Sequence, residues 1–154
     1  MNLPPYVVHT VPNRSLGPAG RRWFLGMMAA TPVTLLAQQT KVWRIGFLSL
    51  DTSASIAGQQ ALEKFPAALA KLGYAVGRNI VVEWRWADGY SGNLRELAAG
   101  LGKDRVDLIV ARTNDPIRAA KEANAGIPVV MMNGNFPVET GLVESLSGPG
   151  GNVT

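Results

Sequence analysis

The sequence predicts an α/β fold of three layers, built on a parallel four-stranded sheet with strand order 2-1-3-4. Four short apolar runs, rich in β-branched and aromatic residues, alternate with segments whose apolar residues recur at helical spacing. Glycine, proline and asparagine separate these segments, as is typical of turns. Such an alternation implies right-handed crossovers and a parallel sheet. The predicted strands are Val42–Leu50, Ile80–Trp86, Val106–Val110 and Ile127–Met132.

The first predicted strand leads into a helix whose apolar residues recur every three or four positions. Ser53 or Ser55 is expected to cap this helix by accepting a backbone N–H bond in its first turn. Pro66 lies inside the pattern and is expected to bend the helix or to begin a second segment. Gly73 is expected to end it in a left-handed conformation. The apolar face consists of Ala61, Leu62, Phe65, Ala68, Leu69 and Leu72.

The second predicted strand, Ile80–Trp86, alternates between two sets of side chains, which indicates an edge strand with one wetter face. Trp84 and Trp86 occupy alternate positions and therefore point the same way. We expect them to pack beneath a helix rather than to stack on a ligand. Glu83 and Arg85 are expected to form a solvated surface on the opposite face.

The later part of the chain predicts three more helices. Ser91 is expected to cap the first of them. Val106–Val110 is continuously apolar, as expected for a central parallel strand covered on both faces. Asn114–Pro116 predicts a helix start, with proline in the first turn, and Gly126 marks the end of that helix. A last short helix is expected over Gly141–Leu146.

The composition excludes several classes of site. The 154 residues contain no cysteine and one histidine, His9, so disulfides, thiolate metal sites, cysteine nucleophiles and multi-histidine metal sites are excluded. Dinucleotide-binding, phosphate-loop and nucleophile-elbow motifs are also absent from the sequence. We therefore expect no metal, no cofactor, no catalytic residue and no enzymatic activity.

Residues 1–37 are predicted to be an export leader. A proline-rich start without helical or strand period precedes two arginines and an apolar stretch, which is the layout of a secretory signal peptide. The apolar stretch is short for a membrane span, which needs ~20 residues. The arginine pair resembles a twin-arginine export signal, although Gly20 replaces the usual serine or threonine. The residues that carry this prediction are Arg21, Arg22, Phe24, Leu25 and, at the expected cleavage site, Ala37.

The leader implies a periplasmic location and contact with the export machinery, by either the Sec or the twin-arginine route. The alternative is that the apolar stretch forms an amphipathic or buried first helix of the domain. Gly26 and Pro32 interrupt that stretch, and no polar face recurs at helical spacing, which favours the leader.

The leader also accounts for the basic character of the chain. The formal net charge is +4 and the isoelectric point is about 9.8, which taken alone would suggest an acidic partner such as nucleic acid. Arg14, Arg21 and Arg22 lie in the leader, which has no acidic residue. The remaining 12 of 15 basic residues face 11 acidic ones, so residues 38–154 are nearly neutral. A nucleic-acid partner is therefore not expected.

Small polar residues follow three of the predicted strands. Ligands of parallel α/β sheets bind beyond the carboxyl ends of the strands, so these residues are the candidate binding site. Hydroxyls, amides and free N–H groups there suit a carboxylate or a polar neutral solute. The alternative is that they only cap helices and form turns. The candidates are Ser49, Asp51 and Thr52, then Thr113 and Asn114 beside Arg112, and finally Asn133, Gly134 and Asn135.

The segments after the leader resemble one family as a set. They are similar to the periplasmic substrate-binding proteins of ABC transporters, of the uncharacterised-transport-system type with a type I periplasmic-binding-protein fold and some aromatic-amino-acid-binding members. The matching segments are Gln38–Leu48, Leu72–Tyr74, Gly77–Ile80, Glu83–Gly89, Leu97–Ala99, Val106–Ala111, Ala119–Lys121, Ile127–Val130, Gly141–Leu146 and Pro149–Thr154.

The resemblance implies that residues 38–154 are a flavodoxin-like N-terminal lobe that binds a small, amino-acid-like solute for an ABC permease in the inner membrane. Family members have two lobes that close over one ligand, so the chain is expected to be truncated before the second lobe. Impaired ligand binding and an exposed sheet edge are expected to follow.

Two segments at the expected ligand site depart from the family pattern. Arg112–Pro116 stands where the family often has Gly-Thr-Pro, and Gly134–Pro137 stands where it often has Gly-Asp-Pro. The identity of the ligand therefore does not carry over. Two alternatives remain open: a small exported hydrolase or transferase on a flavodoxin-like sheet, and a ligand-sensing lobe of a regulator.

Overall fold

A computed structural model describes residues 41–154, and the predicted leader lies outside the described residues. The sheet has four parallel strands in the order β2-β1-β3-β4, which confirms the predicted fold class and strand order. The elements are β1 (Trp43–Ser49), α1 (Ile56–Lys71), β2 (Ile80–Trp86), a 3₁₀ turn (Ser91–Asn93), α2 (Leu94–Lys103), β3 (Leu108–Arg112), α3 (Asn114–Ala123) and β4 (Val129–Met132).

The helices form two layers on opposite faces of the sheet. On one face, Phe65 and Leu69 of α1 pack on a cluster built around Ile45 and Phe47 of β1. On the other face, α2 and α3 pack on a larger cluster that includes Leu48 of β1. The fully buried side chains there include Leu101, Ile109, Ile117 and Val129. Each large apolar side chain buried in this way contributes about 1.5–3 kcal/mol relative to an exposed one.

Both predicted termini of α1 are confirmed. Ser55 is the N-cap residue, and its hydroxyl oxygen accepts the backbone N–H of Gly58 at 2.9 Å. At the other end Gly73 has a φ of +86° and Tyr74 donates its N–H to the carbonyl of Leu69 at 3.0 Å, as in a Schellman motif. Pro66 lies inside the helix without beginning a second segment, because α1 continues from Ile56 to Lys71.

The tryptophans of the edge strand β2 pack as expected. Trp84 and Trp86 stack with ring centroids 5.6 Å apart, and Trp84 also meets the ring of Phe65 of α1 edge-on at 6.1 Å. On the opposite face, Glu83 and Arg85 are partly exposed, as predicted. They also form ion pairs, Glu83 with Arg44 and Arg85 with Asp104. The tryptophans therefore belong to the core rather than to a stacking site.

Two helix predictions are wrong. Ser91 does not cap a helix with its side chain, because it begins a 3₁₀ turn and Asn93 precedes α2 without a side-chain cap bond. Gly141–Leu146 forms turns rather than a helix. Gly141 has a φ of +71°, and the Lys121 ammonium donates to the carbonyls of Gly141 and Leu142 at 3.0 Å each, which holds this segment in an irregular path.

The free side of β4 is covered by residues 152–154. Val129 forms a parallel bridge with Val153, which is buried. The N–H of Val129 donates to the carbonyl of Asn152 at 2.7 Å, and the N–H of Met131 donates to that of Thr154 at 2.8 Å. These bonds give β4 a partner on its outer side.

The strand register brings the carboxyl ends of all four strands level. Ser49, the last residue of β1, lies opposite Trp86 of β2 and Arg112 of β3. Arg112 in turn lies opposite Met132, the last residue of β4. The loops that follow β1, β3 and β4 therefore leave the sheet at one edge. Among residues 41–154, no helix is both long and apolar enough to cross a membrane.

Gly58 is expected to be essential for the loop between β1 and α1. A Cβ at this position would lie 2.2 Å from the carbonyl oxygen of Thr52, whereas a Cβ at Gly100 would meet no heavy atom within 4 Å. Because backbone cannot yield as a side chain does, Gly58→Ala should lower the free energy of unfolding by about 1–3 kcal/mol. Gly100→Ala in α2 should raise it by roughly 0.5–1 kcal/mol.

Urea unfolding followed by circular dichroism measures both changes. If Gly58→Ala were as stable as the wild-type chain, the close packing of α1 on the loop after β1 would be contradicted.

Candidate functional site

The carboxyl edge of the sheet holds an ion pair between two neighbouring strand exits. Asp51 follows β1 by two residues, and Arg112 ends β3. The guanidinium of Arg112 donates from Nη1 to Oδ2 of Asp51 at 2.7 Å. The fully buried hydroxyl of Ser49 donates to the same oxygen at 2.9 Å, and the N–H of Asp51 donates back to Ser49 Oγ at 3.3 Å. Three residues near the predicted ligand rim thus form one connected group.

This ion pair is open to solvent on one side. The side chains of Asp51 and Arg112 are 35% and 21% exposed. The bonds described above use one carboxylate oxygen and one guanidinium nitrogen. Within residues 41–154, the structure shows no hydrogen bond to Asp51 Oδ1 or from Arg112 Nη2. An acceptor and a donor are therefore available side by side at the strand ends.

Thr52 has a structural role in the loop before α1. Its carbonyl accepts the backbone N–H of Ser55 at 3.1 Å and the hydroxyl of Ser55 at 2.8 Å. Its own hydroxyl oxygen accepts the N–H of Ala54 at a longer 3.4 Å. The reading of Thr52 as a turn residue thus has direct support in the structure.

Asn114 and Asn135 tie the loop after β4 to the start of α3. The side-chain amide of Asn114 donates to the carbonyl of Asn135 at 2.9 Å, and its oxygen accepts the N–H of Asn135 at 2.8 Å. Asn133 has a φ of +59°, and Gly134 lies against Met131 and Ile117, as expected of turn residues. All four of these predicted candidates therefore shape the rim of the candidate site.

Thr113 adopts a backbone conformation that threonine rarely takes. Its φ is +69° and its ψ is 166°, a region occupied almost only by glycine. Its N–H donates to the carbonyl of Met132 at 3.0 Å, and its carbonyl accepts the N–H of Ile117 at 3.2 Å, so both neighbours fix this geometry. The sequence does not predict this strain. The one sequence feature that marks the position is that Arg112–Pro116 stands where the family often has Gly-Thr-Pro.

A cavity of about 320 Å³ opens beside Arg112, between α1 and the sheet. The sequence analysis did not predict it, because Ala61, Phe65 and Ala68 were assigned only to the apolar face and the other α1 residues of the lining were given no role. Gln60 and Lys64 contribute its polar groups from α1, and the helical spacing of these two positions was the available signal. The lining comprises Phe47, Ala57, Gln60, Ala61, Lys64, Phe65, Ala68, Arg112 and Met132.

Asp107 lies at the opposite, amino end of the sheet, just before β3. The backbone N–H of Arg44 donates to its carboxylate at 2.8 Å and the Lys41 ammonium at 2.6 Å. These bonds hold the pKa of the Asp107 carboxyl below its usual value. Within the described part of the chain, no group of three or more metal-ligating side chains occurs.

Most of the folded chain matches a known family. A family model described as ABC transporter substrate binding protein matches residues 56–154, and the chain belongs to this family. A curated relative, the tyrosine-binding protein of Clostridioides difficile (strain R20291), is 37% identical over 95 residues, which is 62% of this chain.

Solved structures share the fold. The ligand-free, open structure of a substrate binding protein with adhesive properties from Clostridium difficile is 31% identical and has a TM-score of 0.67 over 73% of this chain. An ABC domain in complex with L-Trp from Streptococcus pneumonia is 23% identical, with a TM-score of 0.66 over 73% of the chain, and supports the fold alone. The chain spans 28% of the curated relative and 38% and 37% of the two solved structures.

Thr113→Gly is expected to stabilise the protein. Glycine removes the backbone strain at this position, which raises the free energy of unfolding by about 1–3 kcal/mol. The lost hydrogen bond from the Thr113 hydroxyl to the carbonyl of Arg112 offsets part of that gain. Thr113→Ala is the matched control, because it also removes the hydroxyl but keeps a Cβ. Thermal unfolding should rank the glycine variant well above the alanine variant, and equal midpoints would contradict the strained geometry.

The stability of the protein should fall in acid partly through Asp107. A lowered pKa in the folded state means that the ionised carboxylate stabilises the fold above its ordinary pKa of 3.8, and that this contribution is lost as the pH falls through the lowered value. Asp107→Asn should therefore destabilise the protein at pH 7 and change little near pH 2.

Urea unfolding at both pH values measures this difference, with Glu139→Gln at an exposed position as the control. An equal loss of stability at both pH values in Asp107→Asn would contradict the assignment.

Proposed function

We propose that this chain is the N-terminal lobe of the solute-binding component of an ABC importer, and that it binds a small amino-acid-like solute at the carboxyl ends of its strands. Family membership over residues 56–154 is the observation that carries the proposal. The position of the Asp51–Arg112 pair agrees with it, because ligands of parallel α/β sheets bind beyond the strand carboxyl ends.

The ligand class is supported by the named relative and by the chemistry of the site. The curated relative is called a tyrosine-binding protein. An amino acid carries one positive and one negative group, and the exposed pair at the strand exits offers one group of each opposite sign. The permease partner follows from the family, in which the binding protein delivers its solute to a membrane component.

The proposed location is the periplasm, reached through the leader. Arg21 and Arg22 before Phe24 and Leu25 support export, and Ala37 supports cleavage at the start of the folded lobe. A binding function without covalent chemistry agrees with the relatives, which are named as binding proteins. It also agrees with the sequence, whose one histidine, His9, lies in the predicted leader.

Binding by this chain alone is expected to be weak. The family binds its ligand between two lobes, and one lobe supplies only part of the contacts. Ligand-observed NMR titration of the full chain with L-tyrosine should therefore give a millimolar dissociation constant, about −4 kcal/mol in binding free energy. D-glucose, which has no charged group, is the control and should not bind.

A micromolar dissociation constant would contradict the dependence on a second lobe. Binding of D-glucose in preference to L-tyrosine would contradict the amino-acid-like ligand and with it the proposed solute class.

A further inference from the structure

The geometry points to Asp51 and Arg112 as the two residues that recognise the charged groups of a free α-amino acid. Arg112 holds the α-carboxylate and Asp51 holds the α-ammonium group. The inference rests on the proposed function, since it assigns the charge recognition within that same site. The pair then determines ligand specificity, because a ligand must carry an ammonium group and a carboxylate on the same carbon atom.

The strand register places the two groups close enough to act on one small ligand. Arg112 lies directly opposite Ser49 in the β1–β3 ladder, and Asp51 follows Ser49 by two residues. The guanidinium and the carboxylate meet at 2.7 Å. The charged groups of an α-amino acid are attached to a single carbon atom, so a ligand at this point reaches both side chains at once.

The pair is only partly used within the protein. One oxygen of Asp51 and one nitrogen of Arg112 form the bond between them. In the part of the chain that the structure describes, no hydrogen bond involves Asp51 Oδ1 or Arg112 Nη2. A guanidinium N–H donates to a carboxylate oxygen, and a carboxylate oxygen accepts from an ammonium group. The unused halves of the pair supply both partners.

The buried side of Asp51 is fixed while its outer side stays accessible. Ser49 is fully buried and its hydroxyl donates to Oδ2 at 2.9 Å, which orients the carboxylate. The side chain of Asp51 remains 35% exposed and that of Arg112 21% exposed. A partly exposed ion pair contributes little to stability, so a ligand can replace one of its contacts at low cost.

The location separates this pair from the other ion pairs among residues 41–154. Lys41–Asp107 lies at the amino end of the sheet, and Arg95–Glu122 joins the exposed surfaces of α2 and α3. Asp51–Arg112 is the one pair in this range that joins the exits of two strands. Arg112 also lines the cavity beside α1, where the partly buried Phe65 and Ala61 offer apolar surface.

The experiment compares three ligands on the wild-type full chain by ligand-observed NMR titration. L-tyrosine carries both charges, tyramine carries only the ammonium group, and 3-(4-hydroxyphenyl)propionate carries only the carboxylate. We expect both analogues to bind at least tenfold more weakly than L-tyrosine. An analogue that binds as tightly as L-tyrosine would overturn the inference, and this comparison does not depend on any variant being folded.

Two variants then assign each charge to its residue. Asp51→Asn should weaken L-tyrosine at least tenfold and leave 3-(4-hydroxyphenyl)propionate unchanged, whereas Arg112→Gln should weaken L-tyrosine equally and leave tyramine unchanged. Arg95→Gln is the matched control, because it breaks the surface ion pair with Glu122. Its affinity for L-tyrosine should equal that of the wild-type chain.

The outcomes separate this inference from the proposed function. If L-tyrosine binds the wild-type chain and both variants equally, the assignment of Asp51 and Arg112 is wrong and the proposed function stands. If neither L-tyrosine nor any other amino acid binds the wild-type chain, both are overturned.

Discussion

The structure depends on the burial of β1 on both faces of the sheet. Ile45 and Phe47 point towards α1, and Leu48 belongs to the larger cluster beneath α2 and α3. β1 also pairs with β2 on one side and β3 on the other. β3 is likewise covered on both faces and flanked by β1 and β4, but β1 has the longer ladders, with seven residue pairs to β2 and five to β3. The position of β1 therefore sets the position of every element around it.

The same constraint builds the site. Once β1 is fixed, the register with β3 places Ser49 beside Arg112, and the register of β3 with β4 places Arg112 beside Met132. Ser49 is buried at the carboxyl end of β1, and its hydroxyl donates a hydrogen bond to Asp51. The charged pair is thus attached to the rigid centre of the fold, although Asp51 itself lies in a loop. Ligand sites supported in this way retain their geometry.

Most of the architecture could be predicted from the sequence, because it follows from local chemistry and periodicity. The spacing of apolar residues gave the strand order, and Ser55 and Gly73 act at the ends of α1 through contacts within a few residues. The predictions that failed depend on distant contacts. Gly141–Leu146, predicted as a helix, is held in turns by Lys121 on α3. Residue patterns carry no signal for such contacts.

The sequence predicted which loops form the candidate site, but not the contacts between their residues. Ligands of parallel α/β sheets bind beyond the strand carboxyl ends, and this rule selected the loops. It did not show that Thr52 differs from Asp51, because the carbonyl of Thr52 bonds the N-cap residue Ser55. Only the pairing of β1 with β3 shows that Arg112 reaches Asp51. The strain at Thr113 and the cavity beside α1 likewise arise from packing between elements.

The central claim is that the carboxyl edge of the sheet is the ligand site. It is tested most directly by ¹H–¹⁵N NMR mapping of amide shifts in the full chain on addition of L-tyrosine. We expect the largest shifts at residues 49–52 and 112–114, with smaller ones at 133–135. A second cavity, of about 300 Å³, lies at the amino end of the sheet beside Trp43, Tyr74 and Asp107. Shifts confined to that end would contradict the account.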